Sequence, residues 1–138
     1  MQQIIFCKGL PASGKSVWSR QYCLDHPEFI RINKDDIRIL LGSPTFSRKF
    51  EASVLDIERR MGIAILESGK SLIVDDTNLA PKHQKYWDLI ASDRQIELTC
   101  QTFDTSLEEC IRRDNERSQR VGIGVIMNMY ETYIQSKN

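Results

Sequence analysis

The run Gly9-Leu10-Pro11-Ala12-Ser13-Gly14-Lys15-Ser16 constrains this chain more than any other feature. It is a complete GxxxxGK(S/T) pattern that follows the apolar stretch Ile4-Ile5-Phe6-Cys7. After it comes a helical stretch expected to carry Val17, Trp18 and Tyr22 inward. A strand, a glycine loop and a helix in that order are what a phosphate cradle requires. The glycines let backbone N–H groups turn toward a polyphosphate at the helix N-terminus, where the helix dipole favours anions. From average residue frequencies the pattern arises by chance in about one chain of this size in two hundred. Lys15 would reach the outer phosphates and Ser16 would offer its hydroxyl to a magnesium ion. The bland alternative is a glycine turn with an unpaired lysine.

The rest of the chain fits a single domain over residues 1–138. Its 138 residues suffice for one hydrophobic core and are too few for two ordinary ones. No apolar run approaches the roughly 18 residues of a membrane span. The start MQQIIFCKG lacks the apolar segment and cleavage site of a secretion signal, so a cytoplasmic protein with no membrane partner is expected. The 19 Lys+Arg balance 19 Asp+Glu, which argues against coating long stretches of nucleic acid and leaves room for a local basic pocket. Cys7, Cys23, Cys100 and Cys110 form no CxxC pair, and only His26 and His83 could complete a metal site. Reduced, mostly buried thiols are expected.

Strand-like and helix-like runs alternate. Ile4 to Cys7 and Leu72-Ile73-Val74 are continuously apolar, as strands covered on both faces are. Phe29 to Asn33 and Ile96 to Cys100 alternate polar with apolar, which suits edge strands. In 50–68 the residues Phe50, Val54, Ile57, Met61 and Ile65 recur at helical steps and predict one buried face, ending near Gly69. Pro81 opens another helix, and Ser106 with Glu109 reads as a capping box for a helix through about Arg117. The order β-α-β-α-α-β-α-β-α-α predicts a three-layer α/β sandwich on a four-stranded parallel sheet with a helical lid. Its ligand site is expected at the carboxyl ends of the strands, where the strand order switches direction.

Further candidate residues fall on that rim. Asn33-Lys34-Asp35-Asp36 imitates a guanine-reading NKxD motif, but it follows the second strand and no DxxG accompanies it; length disfavours a helicase or motor core. Asp35 and Arg38 are one helical turn apart and should share a face. An aspartate kept ionised by an arginine can accept the proton of an attacking hydroxyl, while the arginine holds an anionic part of the acceptor. Spacing leaves Asp35 and Asp36 both open as base, and a cap with a surface ion pair is the alternative. In Asp75-Asp76-Thr77-Asn78 an acidic residue would hold Mg²⁺ or orient an arginine, or else cap the next helix. Arg112, Arg113, Arg117 and Arg120 precede Gly122 and Gly124, the expected hinges of a lid; the alternative is a solvated basic face. Phe46 would stack on a base or pack under its loop.

Together, GLPASGKS, NKDDIR, IVDDTNL and RDNERSQRVGIGVIMNMY resemble the kinase domain of the phage and bacterial polynucleotide kinases, in order and approximate spacing along essentially the whole chain. The resemblance implies ATP-dependent transfer of the γ-phosphate to the 5′-OH end of DNA or RNA, with ATP and Mg²⁺ as cofactors. It implies donor contacts from Gly9, Pro11, Ala12, Ser13, Gly14, Lys15, Ser16 and Val17, with Ser16 on the metal. Asp35 resembles the general base, and Arg38 the residue that grips the acceptor's 3′-phosphate. Asp76 falls on the family's DTN aspartate. Arg113 and Arg117 match the paired lid arginines if one residue of length difference is allowed, with Arg120 as competitor. No DxDxT motif is present, so a kinase without a phosphatase is expected. The rival readings are a kinase of a nucleoside, sugar acid or antibiotic, and a non-catalytic ATP-binding module. Oligomeric state is not legible.

Overall fold

A computed structural model describes residues 1–42 and 47–135. Its centre is a four-stranded parallel sheet in the order β2-β3-β1-β4. The strands are β1 (Gln3–Lys8), β2 (Phe29–Ile32), β3 (Ser71–Val74) and β4 (Glu97–Thr102). Ile4, Ile5 and Phe6 of β1 pair with Leu72, Ile73 and Val74 of β3. These two strands lie inside the sheet, as their unbroken apolar runs predict, and the alternating β2 and β4 form its edges. Residue parity sends Ile4, Phe6, Leu72 and Val74 to one face, and Ile5, Cys7 and Ile73 to the other.

The helices are α1 (Lys15–Asp25), α2 (Lys34–Leu41), α3 (Arg48–Glu67), α4 (Pro81–Arg94), α5 (Leu107–Asn115) and α6 (Ile123–Met129), followed by a π-helical turn at Tyr130–Ile134. This is the expected order of elements. On one face of the sheet, Leu66 of α3 with Trp87 and Ala91 of α4 closes the core over Ile4, Phe6 and Val74. On the other face, Trp18 and Tyr22 of α1 cover Ile5, Cys7, Phe29 and Ile73. A third cluster joins Leu10 of the glycine loop to Cys110 of α5 and Ile126 of α6, so the lid helices are seated on the loop.

Four local expectations are corrected. Val17 is 76% exposed; it does not point inward with Trp18 and Tyr22, because the α1 face that meets the sheet runs through its neighbours. In α3 the innermost line is Val54, Glu58, Gly62 and Leu66, while Met61 is exposed. The face is rotated because the Trp87 ring of α4 packs onto Gly62, where a Cβ would strike it. The α5 helix stops at Asn115, and only half of its capping box forms: Ser106 Oγ accepts from the Glu109 N–H, while the Glu109 carboxylate turns to Arg112 and Arg113. All four cysteines are free, but Cys100, on edge strand β4, is exposed. The Phe46 reading lies outside the described residues. No helix among the described residues is long and apolar enough to cross a membrane.

Candidate active site

The glycine loop links β1, inside the sheet, to α1. Gly14 takes φ 103°, a left-handed conformation that side chains resist, and this turns the chain into α1. The Gly9 N–H bonds to the Thr77 carbonyl at 3.1 Å, and Thr105 Oγ1 to the Ser13 carbonyl at 2.9 Å. The loop is thus tied to the ends of β3 and β4. Lys15 is buried; its Nζ donates to the carbonyls of Gly9 (3.0 Å) and Leu10 (2.6 Å) and lies 3.3 Å from Ser13 Oγ. Burial holds its ammonium below the usual lysine range, an unfavourable state that an anion in the cradle would relieve.

The carboxyl ends of β1 and β3 form the crevice where the strand order switches. The two aspartates after β3 point to different neighbourhoods. Asp75 is fully buried on the P-loop side: its Oδ2 accepts from Ser19 Oγ at 2.8 Å and from Arg31 Nε at 2.6 Å. The same guanidinium reaches Ser16 Oγ at 3.3 Å and Asp36 Oδ2 at 2.9 Å. Asp76 turns toward α2 instead: its Oδ1 accepts the Lys34 backbone N–H at 2.9 Å, and its Oδ2 lies 3.6 Å from Lys34 Nζ.

Asn33 fastens α2 to this rim. Its side chain donates to the Asp75 carbonyl at 2.6 Å and accepts the Asp36 N–H at 3.0 Å, capping the helix. Asp35 and Arg38 share a face as their spacing predicts, with Arg38 Nη1 2.6 Å from Asp35 Oδ1. Arg38 also grips Glu51 of α3 with Nε and Nη2, at 2.8 and 2.5 Å. That bond to Glu51, ahead of its pairing with Asp35, holds Arg38 above the ordinary arginine range. Asp36 is engaged by Arg31 and Asp35 by Arg38, and both carboxylates are exposed.

The lid arginines separate. Arg113 comes over the loop: a Cβ on Gly14 would lie 3.7 Å from its Nη1. Arg112 is spent on Glu109 and Glu116 at the surface. Arg117 lies beyond the end of α5, with Nη1 3.6 Å from Asp114 Oδ1, and Arg120 is exposed on the following loop. Asp114 is buried and accepts the N–H groups of Val121 and Gly122, each at 2.9 Å, so the Gly122 hinge is clamped. Gly124 sits inside α6. Gly14, Val17, Trp18, Gln21, Tyr22, Asp25 and Arg113 line an open cavity of about 510 Å³ beside the loop.

Sequence reasoning missed Arg31, Glu51 and Asp114. Arg31 carried a weak signal, a cation inside an otherwise apolar strand. The other two carried none, because their partners come from other turns or helices. The residues present fit Mg²⁺: Asp75 Oδ1 is a buried carboxylate oxygen without a hydrogen-bond partner, and Arg31 links its carboxylate to the Ser16 hydroxyl. Hydroxyl and carboxylate oxygens are the donors this ion takes.

A phosphate loop on a doubly wound parallel sheet, with acidic residues at the switch point and a helical lid, defines a P-loop domain of the kinase type. A model of the AAA domain family matches residues 4–134, and the chain belongs to that family. L-seryl-tRNA(Sec) kinase of Methanococcus maripaludis is 28% identical over 137 residues, covering 94% of this chain and 52% of that protein. The Pnkp1/Rnl/Hen1 RNA repair complex contains a chain of similar fold, with TM-score 0.78, 20% identity, and coverage of 99% of this chain and 46% of that one. Mycobacterium tuberculosis APS kinase CysC, in complex with AMPPNP and APS, has TM-score 0.60 at 23% identity, covering 88% of this chain and 79% of that one. The chain therefore spans about half the length of the curated relative. The expected fold and family resemblance are borne out.

Proposed function

We propose that this domain transfers the γ-phosphate of ATP to the 5′-OH end of DNA or RNA. The observation that carries the reading is the Asp35–Arg38 pair, joined at 2.6 Å on the first turns of α2, whose N-terminus Asn33 and Asp76 tie to the rim that bears the P-loop. Asp35 accepts the proton of the 5′-hydroxyl as its oxygen attacks the γ-phosphorus. The bond to the β–γ bridging oxygen breaks, and ADP leaves. Arg38, held by Glu51, grips a phosphate of the acceptor.

Lys15 and the N–H groups of Ala12, Gly14 and Ser16 bind the donor phosphates, while Gly9 and Ser13 shape the loop through their N–H bonds to Thr77 and Leu10. Pro11 stiffens the loop, and Val17 borders the donor beside the cavity. Mg²⁺, on Ser16 and Asp75, would neutralise phosphate charge. Asp76 orders the start of α2. Arg113 faces the γ-phosphate, with Arg117 and Arg120 next along the lid. A strand end needs few phosphate contacts, so zero net charge is compatible with this acceptor. The likeness to a chain of an RNA repair complex supports the reading.

A second reading, phosphorylation of a tRNA-borne or free small molecule, is favoured by the likeness to L-seryl-tRNA(Sec) kinase and APS kinase. The test is one incubation with γ-labelled ATP and Mg²⁺, offering 5′-OH DNA, 5′-OH RNA, seryl-tRNA, APS and a metabolite panel. Label entering the 5′ ends supports the proposal; label entering only another acceptor rejects it. Asp35→Ala should lower transfer by about a hundredfold or more with ATP affinity kept. Full transfer by that variant would remove Asp35 as base.

A further inference from the structure

Glu58 lies in the middle of α3, 1% exposed, on the face that packs toward the sheet, and no step of the transfer uses it. Charged side chains are rarely this buried unless they are paired. Lys34 Nζ stands 3.9 Å from Glu58 Oε1 and 3.6 Å from Asp76 Oδ2, too far for a strong direct bond to either. As two carboxylates, Glu58 and Asp76 would each keep an oxygen with no donor, Oε2 of the first and Oδ2 of the second. One proton between them satisfies both and removes the like-charge contact. Burial, and after it the neighbouring Asp76, push Glu58 well above the usual carboxylate range, while Lys34 and Arg38 pull the other way. Asp76 Oδ1 holds the Lys34 backbone N–H at 2.9 Å. Lys34 is the first residue of α2, immediately before Asp35.

We infer that Glu58 stands protonated and donates to Asp76, and that it is a positioning residue fixing the first turn of α2 and with it the carboxylate of Asp35. The inference rests on the reading of Asp35 as general base. Glutamine has the shape of a neutral glutamic acid and an N–H to donate, so Glu58→Gln preserves the contact. Glu58→Ala leaves Asp76 Oδ2 without a donor and opens a void between α3 and the start of α2. Displacing a base by a fraction of an ångström reduces turnover without touching the donor cradle.

The experiment compares the wild-type chain with both variants, using whichever acceptor the wild type phosphorylates. Expected are turnover within about threefold for Glu58→Gln, and turnover reduced about tenfold or more for Glu58→Ala with the KM for ATP within about twofold. On the resting protein at neutral pH, infrared difference spectra should show a protonated-carboxyl band that Glu58→Gln lacks. An unchanged turnover in Glu58→Ala overturns the positioning role. Equal impairment of both variants overturns the neutral-donor role, and identical infrared spectra overturn the proton. The spectra need no acceptor and still decide the proton if Glu58→Ala does not fold. Should the wild type phosphorylate an acceptor other than a 5′ end, the polynucleotide reading fails, and the Glu58 comparison is judged separately on that acceptor.

Discussion

Arg31 Nε lies 2.6 Å from Asp75 Oδ2, and the other end of the same guanidinium reaches Asp36 at 2.9 Å and Ser16 Oγ at 3.3 Å. One side chain on edge strand β2 therefore joins the loop serine, the buried aspartate after β3 and the second acid of α2. Asp75 is 0% and Arg31 12% exposed, so breaking the pair leaves a charge in a poorly solvated place. Arg31→Met should lower stability by about 2–4 kcal/mol. Urea unfolding at pH 7 measures it, and a loss below about 1 kcal/mol, the size of a surface pair, would show that Asp75 finds other compensation.

The lid arginines predict a contrast between neighbours. Arg113 hangs over Gly14, whereas Arg112 is bound to Glu109 and Glu116 at the surface. Arg113→Ala should reduce kcat by about a hundredfold, as loss of a charge-stabilising donor does, while Arg112→Ala leaves it within about twofold because exposed pairs contribute little. Steady-state kinetics on the pair checks it, and equal effects would refute the assignment of Arg113 to the donor.

Packing between α3 and α4 gives a prediction independent of chemistry. A Cβ at position 62 would overlap the ring of Trp87, which is 2% exposed. Gly62→Ala should therefore destabilise the domain by about 1–3 kcal/mol despite alanine's better helix propensity. Chemical denaturation is the measurement, and a stabilised variant would mean that the two helices separate at no cost.

His83 predicts an acid limb of stability. Burial, followed by repulsion from Lys34 and Lys82, lowers it from 6.5 to about 4. The unfolded chain therefore takes up a proton at a higher pH than the folded one. The stability of the neutral ring is present above about pH 6.5 and is lost as pH falls through about 4. His83→Gln should lose less stability than the wild type over that window in pH-dependent thermal unfolding; parallel curves would contradict the shift.

Much of the site was legible because it is local. GLPASGKS marks a phosphate-loop pattern without any fold, since the residues of such a loop act through their own backbone or tip. The Asp35–Arg38 contact follows from one helical turn. The choice between Asp75 and Asp76 was not legible, because adjacent residues beyond a strand end leave in directions that only the surrounding elements fix. The choice among lid arginines stayed open for the same reason, as it depends on where α5 stops and how α5 and α6 seat on Leu10. The α3 face was misjudged because a charged residue and a glycine occupy its innermost line, and hydrophobic periodicity counts neither.

By itself the sequence determined the order of elements, the inner and edge strands, the phosphate loop and the acidic start of α2. These follow from residue periodicity and short-range geometry. Tertiary structure alone decided that Arg31 joins Ser16, Asp75 and Asp36, that Glu51 braces Arg38, that Glu58 and Asp76 both approach Lys34, and that Arg113 reaches Gly14. Those pairs are separated along the chain, and their charges acquire partners only when the sheet and helices bring them out of water together.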